Sequence, residues 1–301
     1  HVSTEDDFDR SVVLNPLIAR VREDRKSGFN PELVIVTGDI AKTGIKKEYD
    51  LAKPFFDDLL AALALPDQRL FVVPGNHDVY RKIYRPGDIP SYKEMKDLNK
   101  ELENYRNDLL KGMDDYFAFV EKHYPHLKSN NPRLVPFIYS YTAECKKRIG
   151  LVGLNSAWMC RVSDDREKIA IGEYQLVKAV EELRTNGAHD LTVHLFHHPL
   201  EWLWPKDRWI CRKHMNGCIA LSGHLHDAEG GYTRDLVGEI YGFQAGCAYE
   251  ESTYPNRFQY ITLNWAIHKI RLDFRTFVDK DRQWVLDGEK GKDGQCVFDM
   301  P

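Results

Sequence analysis

The chain has 301 residues, 43% of them hydrophobic and 29% charged, enough for one large α/β domain or two small ones with a real core. A formal net charge of −4 with acids and bases interleaved excludes a strongly basic polyanion-binding surface, although it leaves room for a local basic groove. Cys145, Cys160, Cys211, Cys218, Cys247 and Cys296 form no CxxC pair and no zinc-finger spacing, so the expected setting is reducing and cytoplasmic, with free thiols.

In chain order, Val13, Leu14, Leu17, Ile18 and Val21 recur at helical spacing, and Gly28 closes that helix. Leu33 to Val36 is a short apolar run ending at Thr37-Gly38-Asp39, which predicts a buried parallel strand with a loop at its carboxyl end. Tyr49 to Leu63 predicts a helix despite Pro54, and Arg69 to Val73 a second strand running into Gly75-Asn76-His77-Asp78. A turn needs Pro and Gly for their backbone preferences. It has no need of Asn-His-Asp.

Ser91 to His123, with Leu98, Leu102, Tyr105, Leu109 and Met113 at helical spacing, predicts a helical insertion or cap within about 81–135. Ile149 to Leu154 predicts a strand ending at Asn155, followed by an amphipathic helix on Leu176, Val177, Val180 and Leu183. The strand Leu191 to Phe196 ends at His197-His198-Pro199, and Cys218 to Leu221 ends at Ser222-Gly223-His224-Leu225-His226. Between them, 201–217 is expected as a loop interleaving Trp202, Trp204 and Trp209 with Lys206, Arg208, Arg212 and Lys213, a composition suited to packing or to stacking a base beside a phosphate. Gln259 to Trp265 and Lys269 to Phe277 predict antiparallel strands, and 287–301 a tail or linker after a domain of 1–286. The most apolar run, Leu59 to Leu65, is too short to span a bilayer, so a soluble protein without a membrane partner is expected.

Asp39, Asn76, His197, His224 and His226 thus stand at four strand ends, where open α/β sheets bind ligands. Imidazole, carboxylate and amide oxygen together suit borderline divalent metals such as Mn, Fe or Zn. Each piece alone is weak, since a lone histidine is more often a satisfied core residue than a ligand. Their conjunction is specific.

GDI at 38–40, GNHD at 75–78, HHP at 197–199 and GHLH at 223–226 resemble, in that order, the calcineurin-like metallophosphoesterases. The resemblance covers about Leu33 to Gly246 and implies a four-layer α/β/β/α sandwich of two mixed β-sheets flanked by helices, with a helical insertion. It implies two divalent transition metals bridged by Asp39, with Asn76, His197 and His224 completing one site and His226 and His1 serving the other. His77 is implied as the proton donor to the leaving group, while Arg81 and His198 are candidate contacts to substrate. Asp78 is expected to anchor its loop.

Two departures stand out. In the family an Asp-x-His motif ends the first strand, and only its His is present, as His1; the expectation is therefore a longer reading frame, with further domains conceivable. Many phosphoprotein phosphatases of this fold carry GDxxDRG, whereas this chain reads GDIAKTG with Lys42, which argues against a protein phosphatase and leaves open what orients His77. The favoured activity is a phosphodiesterase on nucleotides or nucleic acid, a DNA nuclease included. The alternatives are a phosphomonoesterase and a non-catalytic sensor or interaction module.

Overall fold

The computed structural model describes residues 1–4, 7–85, 91–104, 107–162, 165–234, 237–249 and 254–301. Tyr105 of the expected insertion and Glu250 to Thr253 lie outside them. The chain folds as a mixed α/β structure in which β-sheets stack between outer helices.

The first helix, α1 (Asp7–Lys26), and α2 (Lys46–Leu63) pack on each other through Val13, Leu14, Leu17, Leu59 and Leu63, the apolar stripes that the 3.6-residue period predicts. Pro54 does not break α2, and Ala64 ends it in the left-handed conformation. Between the two helices runs β1 (Val34–Val36), paired in parallel with β2 (Leu70–Val72). Phe71 of β2 reaches across the interior to Phe137 and Tyr139, with ring centroids 5.5 and 5.1 Å away.

Those rings belong to the larger, six-stranded sheet. It contains β3 (Phe137–Thr142), β4 (Arg148–Gly153), β5 (Leu191–Leu195), β6 (Cys218–Ser222), β7 (Glu229–Arg234) and β8 (Glu239–Gln244), ordered β3-β4-β5-β6-β8-β7. Its β4, β5, β6 and β8 are mutually parallel, so the loops after β4, β5 and β6 open on one edge. A four-stranded antiparallel sheet closes the chain: β9 (Arg257–Asn264), β10 (Lys269–Val278), β11 (Gln283–Leu286) and β12 (Gln295–Asp299). β12 lies within 287–301 and pairs with β10 over Lys269–Asp273, so the segment expected as a tail is built into this sheet.

Two further expectations need adjustment. The segment 201–217 is not a loop, because Pro205 starts α7 (Pro205–His214), whose inward Asp207 and Cys211 are fully buried. The insertion folds as α3 (Met95–Glu103), α4 (Asn107–Leu110) and α5 (Asp114–His123). Leu98 and Leu102 of α3 are buried against α6 (Glu173–Thr185), and α5 lies on α2, which makes these helices part of the body. No helix among the described residues is long and apolar enough to cross a membrane.

A cavity of about 850 Å³ lies between β1 and β9, floored by Val193, Ile219 and Leu221 of the larger sheet. Among the described residues β1 pairs only with β2 and β9 only with β10, so each turns an open edge toward this cavity. At its mouth Val2 forms a parallel bridge with Ala41, its amide donating to the Ile40 carbonyl, and this sets His1 beside Asp39.

His194 of β5 is buried and its Nδ1 has no hydrogen-bond partner. Burial, aided by repulsion from His214, pushes its pKa down to about 4. A depressed histidine stabilises the fold above the unfolded value of roughly 6.5, and that contribution is lost as pH falls toward 4. Chemical denaturation should show the parent losing about 2 kcal/mol more than His194→Leu between pH 7 and pH 5. Parallel pH profiles for the two proteins would refute this assignment.

Candidate metal centre

Four loops bring their polar ends to one point. Asp39 follows β1, Asn76 follows β2 in a single 3-10 turn (Asn76–Asp78), and His197 follows β5. His224 and His226 follow β6. The close approach explains the glycines: a Cβ at Gly75 would fall 2.2 Å from Asp39 Oδ1, and one at Gly38 would fall 2.6 Å from His197 Nδ1. Asp39, His224 and His226 all have positive φ, at 57°, 73° and 59°, a conformation that costs energy in non-glycine residues and clusters at functional sites.

Asp78 holds the first two loops together. Its Oδ2 accepts the amides of Asp39 and Gly75, both at 2.9 Å, while its Oδ1 accepts the Ala41 amide and the Tyr49 hydroxyl, both at 3.0 Å. The carboxyl is fully buried, and burial is the main cause that pushes its pKa up to about 6. It is an anchor, spending its lone pairs on protein donors.

The remaining side chains face one another with acceptor atoms. Asn76 Oδ1 lies 2.9 Å from His197 Nε2 and 3.1 Å from His224 Nδ1; those two nitrogens are 3.2 Å apart. Asp39 Oδ2 sits 3.2 Å from His197 Nε2 and 3.3 Å from His1 Nε2. For ligands about 2.0–2.2 Å from a first-row metal, neighbours at right angles are roughly 3.0 Å apart. The observed spacings match, so Asn76, His197, His224 and Asp39 fit one divalent ion.

Tautomers support this. His197 donates Nδ1–H to the Thr37 carbonyl at 2.7 Å, which leaves Nε2 as the lone-pair nitrogen pointing at Asp39 and Asn76. His224, pushed down to about 3 by burial and then by the neighbouring His197, stands neutral as a ligand must. Burial works to raise the Asp39 pKa, but His197 and His1 outweigh it and hold the carboxyl well below its usual range. In His197 burial favours the neutral ring, and Asp39 reverses that direction.

A second group adjoins the first. One ligand atom each from His1, Asp39 and His226 lies within 4.8 Å of the others, as do those of His197, His198 and His224, and Asp39 Oδ2 links the two groups through its 3.2 Å approach to His197 Nε2. The rings of His1 and His226 meet edge to face at 5.4 Å, and His1 stacks on His77 at 4.2 Å. This arrangement fits two ions sharing one carboxylate, the second holding fewer protein ligands than the first among the described residues.

His77 is placed beside the ligands without joining them. Its amide donates to Asp39 Oδ1 at 2.8 Å, and its Nδ1 lies 2.8 Å from the Lys42 carbonyl. That carbonyl fixes Nδ1–H and leaves Nε2 free, which answers what orients this ring when position 42 is lysine: backbone, invisible to a motif. Burial lowers the His77 pKa.

A model of the calcineurin-like phosphoesterase family matches residues 14–228. The chain belongs to that family. The uncharacterized metallophosphoesterase-like protein YydB of Bacillus subtilis is 24% identical over 215 residues, which cover 68% of this chain and 42% of YydB. The chain thus spans less than half of that relative's length. A crystal structure of a Vps29 double mutant from Entamoeba histolytica aligns with 12% identity and a TM-score of 0.34, over 95% of this chain and 88% of its own.

All six candidate metal ligands of this calcineurin-like phosphoesterase converge. The two substrate candidates diverge. Arg81 is half-buried and donates Nη2–H to the Asn76 carbonyl at 3.3 Å, beside the ligands. His198 is fully buried: its Nδ1 meets the Ser156 hydroxyl at 3.0 Å and its Nε2 lies 3.7 Å from Cys160 Sγ. Because Ser156 Oγ already accepts the His197 and His198 amides, its own proton goes to His198 Nδ1. Both ring nitrogens thereby have partners inside the protein, although a ring nitrogen of His198 lies within 4.8 Å of ligand atoms of His197 and His224. Sequence reasoning missed Ser156, whose role depends on a partner about forty residues away. It also missed the Thr37 and Lys42 carbonyls, which every residue possesses.

Proposed function

We propose that this chain is a two-metal phosphoesterase that prefers phosphodiesters of nucleotides or nucleic acid. The observation that carries it is the convergence of Asp39, Asn76, His197 and His224 at ligand spacing, with Asp39 shared by His1 and His226 and an oriented, non-ligating His77 alongside. Asp39, Asn76, His197, His224, His226 and His1 would hold two divalent ions of the Mn, Fe or Zn type, which when bound would supply a water activated near neutral pH and charge stabilisation for the displaced oxygens.

The protein's own part follows from its contacts. Asp39, placed between His197 and His1, would offset the repulsion between two cations held on either side of it. His77, held at Nδ1 by Lys42, is free at Nε2 to carry a proton toward the departing alkoxide, a role for which an imidazole is suited near neutrality. Its lowered pKa limits the protonated fraction at pH 7, and an anionic phosphoester beside it would raise that fraction. Arg81, beside the Asn76 carbonyl, supplies a fixed positive charge at the edge of the site.

Metal analysis and turnover test this reading together. After loading with Mn, two ions per chain and faster hydrolysis of bis(p-nitrophenyl) phosphate than of p-nitrophenyl phosphate are expected. A chelator should abolish turnover. Faster monoester hydrolysis would make the enzyme a phosphomonoesterase, and metal binding with no turnover of either would leave a non-catalytic module.

A further inference from the structure

Of the aromatic residues in 201–217, Trp202 reaches the site. It ends the 3-10 turn (Leu200–Trp202) after His197-His198-Pro199, and its ring meets His224 edge to face with centroids 4.1 Å apart. Its backbone is fixed, since its amide donates to the Pro199 carbonyl and its carbonyl accepts the Glu167 amide at 2.7 Å. Half of the story lies at the other cluster: Tyr254, 47% exposed, meets His226 edge to face at 5.3 Å. Trp204 lies under Lys206, and Trp209 is 54% exposed on α7 under Lys213.

The contacts therefore run Trp202, His224, Asn76, His197, Asp39, His1, His226, Tyr254, with an aromatic ring at each end of the ligand row. Trp202 is half-buried, and the Arg166 guanidinium lies 6.0 Å from its ring centroid. A partly exposed aromatic next to a candidate metal site gives a planar substrate group a stacking partner, and a guanidinium over the same ring reinforces that platform.

We infer that Trp202 and Tyr254 are specificity-determining residues that select phosphoesters bearing a nucleobase. This rests on the two-metal reading above and adds the moiety that the site recognises beyond phosphate. Sequence composition pointed to three tryptophans equally; the fold singles out one and pairs it with a tyrosine from another loop.

The test is equilibrium binding to the Mn-loaded protein by calorimetry, with adenosine 5′-monophosphate and ribose 5-phosphate as probes. The parent should bind the nucleotide at least about tenfold more tightly than the sugar phosphate. Trp202→Ala and Tyr254→Ala should each erase most of that preference while leaving ribose 5-phosphate affinity unchanged, and Trp202→Phe should restore it. Trp209→Ala should alter neither affinity. Equal affinities in the parent, or a nucleotide preference that survives both alanine variants, overturn the inference. If bis(p-nitrophenyl) phosphate is still hydrolysed in that case, the base-recognition claim fails alone; if neither phosphate binds and no ester is cleaved, the underlying hydrolase reading fails with it.

Discussion

Asp39→Asn should reduce kcat/KM toward bis(p-nitrophenyl) phosphate by on the order of a thousandfold or more and lower the metal content from two ions per chain. Shared transition-state charge stabilisation by bound metals is worth several kcal/mol, and each 1.36 kcal/mol is a factor of ten. The geometry makes asparagine a poor replacement for a particular reason. Oδ1 accepts the His77 amide at 2.8 Å, whereas Oδ2 faces His197 Nε2 and His1 Nε2. Asparagine would keep its carbonyl on the His77 amide and so aim its NH₂ group at the ion position. An amide nitrogen with two hydrogens offers no lone pair there. Elemental analysis after gel filtration, alongside the kinetics, checks both halves; two retained ions with near-parental turnover would remove Asp39 from the centre of the mechanism.

His77→Ala should separate binding from chemistry. General-acid assistance contributes about 10²–10⁴ in rate, so kcat should fall within that range while both ions remain bound. The His77 ring is held through Nδ1 by the Lys42 carbonyl, while its amide holds Asp39, and that amide survives in alanine. The defect should shrink with a better leaving group: p-nitrophenolate needs little protonation, so the loss should be larger for an alkyl or nucleoside leaving group. Loss of metal from the variant, or an equal defect across leaving groups, would contradict this role. The ring also stacks on His1 at 4.2 Å, so His77→Gln is the useful companion, filling space without an acid.

Much of the centre was legible because its chemistry is local in sequence. Asp39, Asn76 and His224 each follow a Gly, and His197 and His226 lie two residues before Pro199 and two after His224, all just past an apolar run, and parallel strands place such ends on one edge. The apolar periodicity of α1, α2 and α6 likewise located the helices that cover the sheets. The segment 201–217 misled because tryptophans and cations read as a surface loop, while Asp207, buried and accepting the Ile171 and Gly172 amides at 2.7 and 2.9 Å, is what ties α7 down. A carboxylate acting as a hydrogen-bond acceptor for a distant loop carries no local pattern. The segment 287–301 misled similarly, since charge and glycine mark its turns, and only pairing with β10 makes Gln295–Asp299 a strand.

Residue order alone therefore determined the candidate ligand types, their attachment to strand ends and the family, because these depend on side-chain chemistry and on backbone freedom within a few residues. Tertiary structure decided which nitrogen each imidazole presents, since Thr37, Lys42 and Ser156 lie 160, 35 and 42 residues from the rings they hold. It also decided which aromatic rings touch the site, with Trp202 and Tyr254 brought to opposite ends of the ligand row by two separate loops. Proton positions and ring contacts are set by distances between remote atoms, and those distances exist only once the sheets have packed.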